Sequence, residues 1–196
     1  MGAAILSNPK QDSSHDRLPP IAENLLTPRQ RAAAAALAAT RRGALRGPFV
    51  PLLYSPELLD RAQRLGEYLR YDSALPDRLR EFAILIAARH WSQAYEWHVH
   101  APLAERAGLD RQLIDALAAC RRPDRMSAAE AAVYDFCVGL HRDHTISDPT
   151  YAAALAVLAE HGIVDLCGIC GYYSMLAMVM NAARTPLPPG VSPPWR

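Results

Sequence analysis

Residues 78–109 read RLREFAILIAARHWSQAYEWHVHAPLAERAGL, and this stretch decides the fold. Leu79, Phe82, Leu85 and Ile86 recur at helical spacing, which predicts a helix running from Pro76-Asp77 towards Trp91. Tyr95 to Gly108 predicts a second helix, stopped by the glycine. Into this apolar, Ala-rich helix pair the chain puts Glu81, Glu96, His98 and His100. Ionisable groups cost free energy in such a setting unless they have partners or a chemical task.

Outward from the pair, the punctuation is helical throughout. Thr27-Pro28-Arg29-Gln30 offers an N-cap, a first-turn proline and a capping-box glutamine, followed by an alanine run that Gly43 can end. Ser55-Pro56-Glu57 opens another helix, Asp110 caps a short one to about Cys120, and Ser127-Ala128-Ala129-Glu130 is a second capping box. Val133, Phe136, Cys137 and Leu140 then keep one apolar face. Pro149 opens a helix to Glu160, and Ile163 to Ala183 is a long apolar one. No period-2 pattern flanked by hairpin turns interrupts the series, so the fold class is all-α in a single domain. Residues 1–22 are expected to be a poorly ordered polar arm, 23–184 the helical domain, and 185–196, with Pro186, Pro188, Pro189, Pro193 and Pro194, an extended tail.

Composition narrows the function classes. The 196 residues are 51% hydrophobic and 21% charged, enough for one sizeable core. Twenty-one Lys and Arg balance twenty Asp and Glu, which leaves no basic surplus for nucleic acid or anionic lipid. A small-molecule substrate is the expected partner. No signal-peptide pattern opens the chain, no apolar run is expected to reach a membrane span, and four cysteines are too few for a secreted disulfide framework, so the expected compartment is the cytoplasm.

Glu96 and His100 are one helical turn apart and project from one face, where they can hydrogen-bond or share a ligand, whereas His98 points away. A carboxylate beside an imidazole favours its charged form while burial opposes it, and that competition can set a general acid or base near neutral pH. Glu81 on the preceding helix could meet His100 across the pair. The competing readings are a satisfied buried pair, a solvated helix face, or a carboxylate-rich metal site of Glu81, Glu96 and His100; without paired Glu-x-x-His elements no metal is expected.

The chain resembles the carboxymuconolactone decarboxylase family, which includes the alkyl hydroperoxidase D group. The resemblance lies in GPFVPLLYSPEL, LRYDSALPDRLREFAILIAARHW, YEWHVHAPLAERAGL and the segment from Thr145 to Ala182, with the Glu96 to Leu109 block the most specific part. It implies an all-helical fold with a helix-pair core assembled as a homo-oligomer: a dimer, trimer or hexamer. In the hydroperoxidase branch the site holds a glutamate, a Cys-x-x-Cys pair and a histidine; here these positions fall on Glu81, on Gln93 and Glu96, and on His100. Thiol chemistry at that place is therefore impossible, and the proton-transfer half remains. The resemblance then implies a cofactor-free lyase or isomerase for a small carboxylated lactone or related ring-cleavage product. His100 would be proton donor or base, Glu96 and Glu81 would tune it, and Trp97, His98, Tyr172 and Tyr173 would line the substrate site.

Cys167-Gly168-Ile169-Cys170 is a displaced Cys-x-x-Cys candidate. It supports an alternative reading as a thiol-dependent peroxidase with peroxiredoxin-type activity, although its apolar flanks fit buried structural thiols. A third reading is a non-catalytic, ligand-binding helical oligomer. His141 and His144, near a helix C-terminus, fit a capping role.

Overall fold

A computed structural model describes residues 16–195. Among them the chain is all-α, as the punctuation implies: α1 (Pro28–Ala38), α2 (Phe49–Leu52), α3 (Pro56–Tyr71), α4 (Asp77–His90), α5 (Ala94–Arg106), α6 (Arg111–Ala118), α7 (Ala128–Val138) and α8 (Asp148–Ala183). Local chemistry sets most of the starts. Thr27 and Ser127 each make a complete capping box, with Gln30 and Glu130 reaching back to the cap N–H. Asp110 accepts from the Gln112 N–H at the start of α6. Helix α1 stops at Ala38, earlier than Gly43 suggested, because the Thr40 hydroxyl takes the Leu37 carbonyl and the chain turns there.

Helix α4 is the axis of the core, buried without interruption from Leu79 to Ala88. A helix enclosed on all sides has neighbours on every face, and α5, α6, α7 and α8 all pack against it. Phe82, Ile84, Leu85, Leu166, Ile169 and Met180 are among the fully buried side chains. The two helices expected over 149–183 form one helical run broken at Ala159, whose φ of 53° is strained for a residue with a Cβ. Beyond α7 the helix widens into a π-helical turn, Gly139–Asp143, ended by His144 in the left-handed region.

Helix α8 corrects one expectation: an 18-residue window within it has a mean hydropathy of 1.7, long and apolar enough to cross a membrane by length and composition. Ala, Gly and Cys, each mildly apolar, add up over one continuous helix. In the fold α8 packs on α2, α3, α4 and α7, and 39% of that window is buried.

Of the arm expected over 1–22, residues 1–15 lie outside the described residues. Residues 16–22 lie against the body: the Arg17 N–H donates to the Ala183 carbonyl, and the Tyr54 hydroxyl donates to the Pro19 carbonyl. The tail folds back so that Trp195 meets Trp97 edge-on, with ring centroids 5.2 Å apart, under the Arg89 guanidinium.

Candidate active site

Helices α4 and α5 are joined by a tight turn through Ser92, which has a φ of 48°. Gln93 caps α5 by accepting from the Tyr95 N–H, and its amide donates to Asn181 of α8. The turn thus fixes α5 against α4 and α8 together. Across the pair, His100 Nδ1 lies 2.7 Å from Glu81 Oε2, with both side chains buried. Desolvation lowers the His100 pKa, and the Glu81 contact only partly offsets it, so the imidazole is neutral near pH 7. In that state Nδ1–H donates to Glu81 and Nε2 keeps its lone pair, the tautomer a base requires.

Glu96, one turn earlier on α5, is 3% exposed, and neither of its carboxyl oxygens has a hydrogen-bond partner. Desolvation raises its pKa well above the usual carboxyl range, so the group is a protonated acid. Of the two options the spacing left open, a mutual bond or a common ligand, Glu96 and His100 make no mutual bond. They line one cavity instead.

That cavity is about 120 Å³, space for several waters or one small ring. Glu96, Val99 and His100 of α5, and Tyr172, Tyr173 and Leu176 of α8, form one wall. The Tyr173 ring stands edge-on to His100 with centroids 5.1 Å apart. Burial pushes the Tyr172 hydroxyl up to about 12, and it has no hydrogen-bond partner. Arg41, Arg42 and Arg46 from the α1–α2 connection, with Arg70 at the end of α3, form the opposite rim. Among the described residues none of these four guanidinium groups is ion-paired with a carboxylate. Arg42 lies over the Phe49 ring at 4.7 Å, and its buried Nε and Nη2 have no partner. A Cβ at Gly66 would run into both the Tyr172 hydroxyl and Arg42, so this floor admits only glycine without rearrangement.

The other sequence candidates lie elsewhere. Trp97 is buried against Trp195 in a separate groove, and His98 is exposed; neither lines the cavity, because on α5 they point away from Glu96 and His100. Cys167 is exposed on α8, while Cys170 is buried beside Cys137 of α7 at 3.6 Å. Among the described residues no three His, Cys, Asp or Glu side chains gather as a metal site, and His100 and Glu81 are engaged with one another. The arginine rim was not foreseen, although Thr40-Arg41-Arg42-Gly43-Ala44-Leu45-Arg46 was a visible basic signal just before the GPFVPLL block.

Residues 56–137 match the model of the carboxymuconolactone decarboxylase family. This segment, 82 of the 196 residues, is similar to that family. Comparison with curated proteins gives no match. The family segment covers α3 to α7 and so holds Glu81, Glu96 and His100, whereas Arg41, Arg42, Arg46, Tyr172 and Tyr173 lie outside it. The acid–base residues of the cavity are thus in the family segment, and Tyr172, Tyr173 and three of its arginines are supplied by flanking sequence.

Proposed function

We propose that this protein is a cofactor-free lyase or isomerase acting on a small carboxylated lactone or a related ring-cleavage product. The observation that carries the reading is the set of unsatisfied polar groups at one cavity: a neutral Glu96 carboxyl, the Tyr172 hydroxyl and the Arg42 guanidinium. Unpaired buried polar groups cost roughly 1–3 kcal/mol each, a cost a ligand with matching acceptors removes. A carboxylate fits the arginine rim, and a lactone carbonyl fits the two O–H donors.

The chemistry follows from this placement. As the carbon–carboxylate bond breaks, its electron pair passes into the conjugated carbonyl, whose oxygen is stabilised by the Tyr172 and Glu96 O–H groups. Carbon is then protonated by Glu96, directly or through His100 Nε2, which takes the Glu96 proton and passes it on, and Glu96 regains a proton from water once the product leaves. For an isomerisation, His100 Nε2 removes the proton and Glu81 supports the charge that develops on the ring. A homo-oligomer is part of the proposal: Val164, Gly171 and Met178 recur every seven residues on the exposed side of α8, beside Leu58 and Leu65 of α3. A solely monomeric sedimentation profile at micromolar concentration would remove that part.

The test is a screen of carboxylated unsaturated lactones for carbon dioxide release or loss of conjugated absorbance, repeated with His100→Gln and Glu96→Gln. The reading predicts turnover that both substitutions abolish. Turnover indifferent to both would overturn it.

A further inference from the structure

Outside the cavity, the most unusual cluster of reactive groups lies where α7 meets α8. Cys137, in the last turn of α7, is fully buried, and its sulfur is 3.6 Å from that of Cys170 on α8, itself 4% exposed. The π-helical turn that follows Cys137 carries His141, one of the groups facing Cys170. The His141 imidazole stacks on His90 of α4 with centroids 4.9 Å apart, and its Nε2 is buried without a hydrogen-bond partner. Such π-turns tend to occur at functional sites, because the extra residue per turn re-aims a side chain. A surface groove lined by His90, Cys120, Tyr134, Val138 and His141 adjoins the cluster through His141.

We propose that Cys137 and Cys170 form a reversible oxidation site, a dithiol that closes into a disulfide bridging α7 and α8, with His141 as the group that handles the proton. The exposed Cys167 is not the partner. The two sulfurs are 3.6 Å apart, in van der Waals contact, and a disulfide brings them to about 2.05 Å. The contact with Cys170 and burial raise the pKa of Cys137, whereas the same contact, helped by His141, lowers that of Cys170, which favours Cys170 over Cys137 as the sulfur that ionises first. Cys170 is therefore the attacking thiolate.

Burial of both sulfurs selects the oxidant by size. Hydrogen peroxide, little larger than water, is the oxidant that fits this burial best, and the reductant that reopens the bridge must likewise be small. The Cys170 sulfur attacks one peroxide oxygen, forming an S–O bond as the O–O bond breaks, and the departing hydroxide leaves as water with a proton relayed by His141. Cys137 then attacks the Cys170 sulfenic sulfur and its proton leaves with the hydroxyl as a second water. Two thiols and one peroxide thus give one disulfide and two waters, and a thiol reductant reverses the oxidation. Cys170 precedes Tyr172 and Tyr173 on α8, so the bridge would clamp the helix that forms one cavity wall.

The experiment treats reduced full-length protein with hydrogen peroxide, alkylates the remaining thiols and maps the peptides by mass spectrometry. The proposal predicts loss of two of the four thiols, one Cys137–Cys170 linked peptide, and full recovery with reductant. Cys167→Ser should leave the linkage intact, and His141→Gln should slow its formation by about tenfold, the effect of one pKa unit on the thiolate fraction. A linkage to Cys167 or Cys120, four alkylated thiols, or over-oxidised Cys170 without a linkage would each overturn it. The wild-type map decides the matter whether or not either variant folds.

Discussion

Glu96 and Glu130 are both buried glutamates, 3% and 1% exposed, and the fold treats them in opposite ways. Around Glu130 burial alone would raise the pKa, but the Ser127 backbone and hydroxyl and the Arg78 guanidinium outweigh it and hold the group lowered and ionised. Glu96 has no such partner and is held neutral. Glu130 ties α7 to α4, and its charge is part of the architecture. Glu96 adds nothing to the architecture that an apolar side chain would not, and its cost is concentrated at a cavity. A buried ionisable group left unsatisfied next to space for a ligand marks function more sharply than burial or sequence spacing does.

The most severe way to break this contrast is to remove the chemistry. Under the proposed function, His100→Gln or Glu96→Gln lowers kcat by roughly 10²–10⁴-fold, the usual worth of one acid–base group, measured as turnover of the best lactone acid from the screen. Glu130→Ala should instead leave kcat per folded molecule unchanged and destabilise the protein by about 2–3 kcal/mol. It removes a capping-box partner and strands Arg78, which is partly exposed and so loses less than a buried cation would. Chemical denaturation checks this.

Glu96→Gln should move stability the other way, by about +1 kcal/mol at pH 8, because the folded state no longer has to hold a proton that the unfolded chain has released. The sign follows from the raised pKa. Below the ordinary carboxyl range both states are protonated and the wild type suffers no penalty. As pH rises from that range towards the raised value the folded state binds more protons than the unfolded one, and stability falls. Denaturation midpoints from pH 4 to 8 should show this slope in the wild type, attenuated in the variant; equal slopes would mean that Glu96 is ionised. The smallest effect is at the rim: Arg42→Ala should raise KM about tenfold with little change in kcat, the mark of a group that binds a carboxylate equally in ground and transition states.

The sequence announced much of this before any packing was known. The capping boxes at Thr27 and Ser127 satisfy their own helix ends, so they are local and legible. Glu81, Glu96 and His100 stood out because charged groups on an Ala-rich helix pair are expensive. Helix spacing left both Glu96 and Glu81 as neighbours of His100, and the α4–α5 approach makes the contact expected across the pair, with Glu81 at 2.7 Å. Trp97 and His98 sit beside Glu96 in sequence yet turn away from the cavity, because neighbours on a helix point about 100° apart. The Cys-x-x-Cys pattern suggested a Cys167–Cys170 pair, and the fold gives Cys170 a different neighbour from another helix.

The sequence by itself determined the longer helices, most of their starts and the presence of acid–base residues on α4 and α5, because hydrophobic period and caps act over one or two turns. The short α2 was not signalled. Tertiary structure alone decided that Glu96 is neutral, that Arg42 and Tyr172 converge over Gly66, and that Cys137 faces Cys170. Desolvation and contact between distant segments depend on what packs around a group, and no local pattern encodes that.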